Sequence, residues 1–136
     1  MTTYRVCFRI LGLTVEPVAL TAEFGVAPSK GHRAGDPVPK HPERKYSIGA
    51  WTVDSPLGES TALAEHLEQL LIILAPAAEA IKTRSRTEGW TCSFYCSIFG
   101  AEPAPKGELV VVPASILGRI SDLGIGLEVV LYADDG

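Results

Sequence analysis

Apolar and polar residues alternate without a break from Tyr4 to Ile10: Tyr4, Val6, Phe8 and Ile10 fall on one side, Arg5, Cys7 and Arg9 on the other. A period of two marks a β-strand with one packed and one wetter face, and it predicts a strand over about Thr3–Leu11. The period then changes. Pro17 suits the first turn of a helix, where its missing N–H leaves no bond unmade. Leu20 and Phe24 lie four residues apart, and Gly25 suits the left-handed position that ends a helix. The same pattern returns late in the chain. Trp90, Cys92, Phe94, Cys96 and Ile98 alternate with Thr91, Ser93, Tyr95, Ser97 and Phe99. A helix over Pro113–Leu123, with Ile116, Leu117, Ile120 and Leu123 inward, stops at Gly124. A last strand, Gly126–Tyr132, sets Leu127, Val129 and Leu131 against Glu128, Val130 and Tyr132.

Between the two copies the signals are mixed. Ala27–Arg44 holds four prolines and two glycines and reads as a loop, long enough to suggest a functional or moving segment. A strand is expected over about Tyr46–Asp54, with Trp51 near its centre. After a turn at Ser55–Ser60, Leu63, Leu67, Leu70, Leu71 and Leu74 follow helical spacing and define one buried stripe. His66 falls at the rim of that stripe. Pro76 breaks this helix or begins a second, Ala77–Thr87. Glu108–Val112 has two readings, a short edge strand or the lead-in to the helix that Pro113 opens.

The order predicts an α+β fold: a mostly antiparallel sheet of ferredoxin-like βαβ halves with helices on one face. Length alone favours a single domain over 1–136. Its first half would cover about 3–54, a helical connector about 59–87, and the second half about 90–132. The uncovered sheet face would then collect Arg5, Cys7, Arg9, Ser93, Tyr95, Ser97, Glu128 and Tyr132, with Arg5 or Arg9 able to pair with Glu128.

Composition narrows the function classes. The chain has 136 residues, 46% of them apolar, which argues against disorder. A net charge of −4 disfavours a nucleic-acid partner. The charge is uneven. From Lys30 to Lys45 there are five cations (Lys30, Arg33, Lys40, Arg44, Lys45) against Asp36 and Glu43, so that segment is +3 and the remainder −7. It is either a solvated loop that complements an acidic body or a basic lid that recruits an anion. Three cysteines without framework spacing point to a reducing compartment. No apolar run approaches the ~20 residues of a membrane span. A cytoplasmic protein without a membrane partner is the expectation.

No catalytic motif stands out. There is no glycine-rich phosphate loop. The Gly124-Ile125-Gly126 run precedes a strand rather than a helix. His32 and His41 lack further ligands at metal spacing, so no metal and no cofactor are expected. Cys7, flanked by Arg5 and Arg9, is the sharpest chemical candidate, because neighbouring cations favour a thiolate. It has no local base, and a half-buried inert thiol is the competing reading. Trp51 is either a core anchor or a ligand-stacking ring beside Arg33.

The opening Tyr4–Ile10, the Phe24-Gly25-Val26-Ala27-Pro28-Ser29 stretch, Arg33 with Gly35-Asp36, Trp51, the Leu63–Leu74 helix and the closing Leu123–Tyr132 together resemble the domain-of-unknown-function family numbered 4279, found mostly in bacteria. The resemblance covers nearly the whole chain and implies no established activity. It suggests that the Arg33, Gly35 and Trp51 region is a shared feature. Small bacterial families of this kind include inhibitors that neutralise a partner protein. The leading expectation is therefore a non-enzymatic binding module, an inhibitor or immunity-type protein among the possibilities. Its partner would be another protein or a second copy of itself, met through Arg5, Arg9, His32, Arg33, Trp51, Ser93, Tyr95 and Glu128. The rival is a small-molecule anion site, binding or enzymatic, between the open sheet face and loop 27–45. A pocket requires that loop to fold over the sheet and leave a cavity; an interface requires a flat or self-complementary face.

Overall fold

A computed structural model describes residues 2–100 and 110–132. The elements run β1 (Thr3–Gly12), α1 (Pro17–Phe24), β2 (Lys30–His32), β3 (Pro37–Val38), β4 (His41–Lys45), β5 (Gly49–Asp54), α2 (Leu63–Leu74), a 3₁₀ turn (Ala75–Ala77), α3 (Ala78–Glu88), β6 (Thr91–Phe99), α4 (Ala114–Asp122) and β7 (Gly126–Tyr132). The fold is α+β. One five-stranded sheet in the order β2-β5-β1-β6-β7 joins strands from both halves of the chain, and β3 and β4 form a separate hairpin.

The β1 alternation is realised as expected. Val6, Phe8 and Ile10 are buried and face the helices. They are continued across the sheet by Trp51 and Val53 of β5 and by Cys92, Phe94 and Cys96 of β6. The leucine stripe of α2 closes over this layer. Leu67, Leu70 and Leu74 lose all contact with water, each contributing about 1.5–3 kcal/mol. Aromatic edges lock the centre: Phe8 and Phe24 both meet Trp51 edge-on, at centroid distances of 6.4 and 5.5 Å. Gly25 ends α1 in the left-handed conformation and bonds back to the Thr21 carbonyl. Among the described residues no helix is long and apolar enough to cross a membrane.

Three expectations need correction. The first half is not a parallel βαβ unit, because β1 and β5 are antiparallel neighbours. Only β6-α4-β7 has the parallel crossover, with its two strands directly adjacent. Segment 27–45 is not a structureless loop: it supplies the edge strand β2 and the β3–β4 hairpin. The strand expected from Tyr46 begins at Gly49. Of the two readings of Glu108–Val112, the lead-in fits residues 110–112, which form no strand and run into α4, while 108–109 lie outside the described residues.

Candidate functional site

The sheet face opposite the helices carries Arg5, Cys7, Arg9 and Leu11 on β1. Beside them stand Ala50, Thr52 and Asp54 on β5, Lys30 and His32 on β2, Ser93, Tyr95 and Ser97 on β6, and Glu128 on β7. Its middle is made of short side chains. Thr52, Ala50, Ser93 and Ser97 are buried although no helix covers them, because longer neighbours stand around them. The floor is therefore low and the border high.

Register places Lys30, Thr52, Arg9, Ser93 and Gly126 in one row across all five strands. Arg9 is held at the centre of this row. Its Nη2 donates to Glu128 Oε2 at 3.0 Å, and its guanidinium lies 4.0 Å from the centroid of the Tyr95 ring. Its Nε is buried with no partner, as is the hydroxyl of the adjacent Ser93. The Tyr95 phenol is held above its ordinary pKa, first by its hydrogen bond with Tyr132. Arg5 lies nearer the end of the sheet, bonded to Glu59 at 2.7 Å.

The next row, His32, Ala50 and Leu11, faces the hairpin. Two backbone bonds fix the base of the hairpin: Gly35 N–H donates to the Tyr46 carbonyl (2.7 Å), and Tyr46 N–H donates to the Asp36 carbonyl (2.9 Å). The Tyr46 ring stacks on His32 with centroids 3.4 Å apart and planes 10° apart, and His32 Nε2–H donates to the Ile48 carbonyl. The hairpin thereby walls a cleft of about 610 Å³. Arg9, Leu11, Lys30, Ala50 and Thr52 form its sheet side; Asp36, Pro37, Pro39 and Tyr46 form the other. A second cleft, about 460 Å³, shares Lys30 and continues along the same face past Cys7, Tyr95 and Ser97 to Arg5, Glu59 and His66.

The sequence candidates divide. Arg9 and His32 line the larger cleft, and Arg5 and Tyr95 line the smaller. Glu128 orients Arg9 from β7, and Ser93 lies buried beside it. Arg33 is not in either lining. It points outward between Glu16 (3.8 Å) and Asp36 (3.7 Å). Trp51 is a correction: it is 0% exposed, belongs to the core on the helix side of β5, and donates Nε1–H to Thr21 Oγ1. A ring sealed there cannot stack on a surface ligand. Lys30, Thr52, Pro37, Pro39 and Tyr46 were not singled out by sequence. The only signal for them was the cation excess of the segment that holds most of them.

Of the two readings of Cys7, its partial burial favours the half-buried thiol. Its pKa is raised, first by burial and then by Asp54, and these outweigh the opposing pull of Arg9 and Lys30. Burial pushes Cys96 up to about 12. The remaining reactive-looking pair is Ser55 and His66, with Oγ and Nδ1 2.7 Å apart in a hydrogen bond. Leu57 N–H donates to the same oxygen, so the pair clasps the 55–61 turn onto α2. His66 is 1% exposed rather than at the rim. Its Nε2 has no partner to orient it as a base. Among the described residues no group of His, Cys, Asp and Glu could hold a metal ion.

No curated protein and no solved structure matches the chain. A family model does: it matches residues 2–134, and the chain belongs to the family described as a domain of unknown function, DUF4279.

Proposed function

We propose that this protein is a non-catalytic binding module that takes a small ligand on the open face of its sheet, beneath the basic hairpin. One observation carries the reading: segment 27–45 folds back as a hairpin and leaves a cleft of about 610 Å³ against the sheet. Binding sites for small molecules are concave, of this order of volume, and lined by apolar groups with a few placed polar ones. A flat or self-complementary protein interface has no use for such a wall. Burial raises the pKa of all three thiols, and the Ser55–His66 pair is occupied in holding a turn, which favours binding over chemistry.

Size-exclusion chromatography with light scattering, followed by thermal-shift screening of anionic metabolites, tests this reading. A monomer whose melting temperature rises reproducibly with one metabolite supports it. A tight dimer indifferent to every ligand overturns it in favour of self-association.

A further inference from the structure

We infer that the cleft selects an oxyanion, a carboxylate or phosphate monoester, carried on a flat apolar body. This inference rests on the binding-module reading and names the ligand class for the same site. Lys30 and Arg9 stand two strands apart in one row with Thr52 between them. Adjacent strands lie about 4.8 Å apart, which puts the two Cα atoms roughly 10 Å apart. Lys30 borders the cleft beside the Thr52 hydroxyl, and Arg9, its guanidinium turned toward Tyr95 and Glu128, borders it from the other side.

Charge accounting around the cleft points the same way. Two of the carboxylates near it are engaged: Asp36 accepts from the Arg33 backbone N–H at 2.8 Å and neighbours its guanidinium, and Glu128 accepts from Arg9; the third, Asp54, lies in the smaller cleft that shares Lys30. Arg9 has five N–H donors and spends one on Glu128, while its Nε has no acceptor at all. Lys30 has no ion pair among the described residues. A chain of net charge −4 thus gathers unspent cationic donors at one concave place. Carboxylate and phosphate oxygens are the acceptors that such donors bind most strongly.

The next row supplies the rest of the ligand. Leu11, Ala50, Pro37 and Pro39 present hydrocarbon, and Tyr46, braced on His32, presents a ring. The head is held by charge in the Lys30–Arg9 row, and the body lies one row further under the hairpin.

The test is a ¹H–¹⁵N chemical-shift titration with phenylphosphonate and benzoate as charged probes, benzamide as the neutral counterpart and inorganic phosphate as the head alone. Phenylphosphonate or benzoate is expected to move the amides of Leu11, Gly31, Tyr46 and Thr52, at least tenfold more tightly than benzamide or inorganic phosphate. Lys30→Met should weaken that binding about tenfold with the rest of the spectrum unchanged, and Lys82→Met on α3 should not. Equal binding of benzamide overturns the anion assignment and leaves a ligand cleft standing. Shifts by inorganic phosphate as tight as by phenylphosphonate overturn the apolar body. Absence of shifts with all four probes overturns the ligand class, while a metabolite hit in the thermal-shift screen would still uphold the binding module.

Discussion

The Arg9 guanidinium lies over the Tyr95 ring, 4.0 Å from its centroid, while the same group bonds Glu128 on the far side of β6. One side chain from β1 thus reaches across β6 to the edge strand β7. The contacts fix the direction of Arg9 more than they stabilise the fold. Exposed ion pairs contribute about 0.2–1 kcal/mol. A double-mutant cycle with Arg9→Met and Glu128→Gln should give a coupling in that range that shrinks as salt is raised. Urea denaturation of the four proteins measures it. A coupling of several kcal/mol, or one indifferent to salt, would contradict the geometry.

Gly49 opens β5 where the turn from Gly12 to Val15 crowds it. A Cβ there would lie 2.9 Å from the Val15 carbonyl oxygen and 3.0 Å from that of Gly12, both backbone atoms that cannot swing away. Gly49→Ala should cost about 1–3 kcal/mol, the usual penalty of overpacking. Gly58 is the contrast, since nothing lies within 4 Å of its Cβ position and its φ is not in the left-handed region. Gly58→Ala should be neutral or stabilise by about 0.4–1 kcal/mol, by restricting the unfolded chain. Chemical denaturation ranks the two variants.

What the sequence made legible follows from where its period was clean. β1 and β6 alternate because each has one face of large apolar side chains, and the α2 stripe was equally plain. β5 hid its orientation. Its open-face positions, Ala50 and Thr52, are small and buried, so no long polar side chain beside Trp51 marks which side it takes. The hairpin escaped because β3 is only Pro37–Val38, β4 is exposed along its whole length, and Pro37, Pro39 and Pro42 interrupt the segment. It is held by the Tyr46 backbone bonds and the His32–Tyr46 stack, contacts that leave no periodic trace. Lys30 therefore passed as one charge in a basic loop, although the β2–β5 register puts it level with Arg9. Arg33, next in sequence to the His32 that does line the cleft, faces out instead. An alternation rule cannot assign sides in a three-residue strand that the pattern did not reveal.

The three cysteines should behave as unreactive side chains in the folded protein. Burial raises Cys7, Cys92 and Cys96, the last to about 12, and a thiol reacts through its thiolate. At pH 7.5, Ellman's reagent should label the native protein slowly and label all three thiols at once after addition of guanidinium chloride. Rapid labelling of Cys7 in the native state would restore it as a chemical candidate and weaken the non-catalytic reading.

His66 makes stability depend on pH. Its pKa is lowered from the ordinary 6.5, chiefly by burial, against the opposing influence of the Thr61 and Gly58 carbonyls and Glu65. In the folded state the neutral imidazole is favoured, so below pH 6.5 the unfolded chain binds the extra proton first. Stability rises with pH wherever the unfolded state holds more protons. The contribution of His66 is therefore fully present above about pH 6.5 and is lost progressively as pH falls below it, through the depressed folded value. In the imidazolium Nδ1 carries a proton, so there its bond with Ser55 runs from Nδ1–H to the hydroxyl oxygen. Urea midpoints of the wild type should fall between pH 7.5 and 5. The His66→Gln variant, less stable at pH 7.5, should lose less over the same interval. Parallel pH profiles for the two proteins would show that the imidazole is not the titrating group.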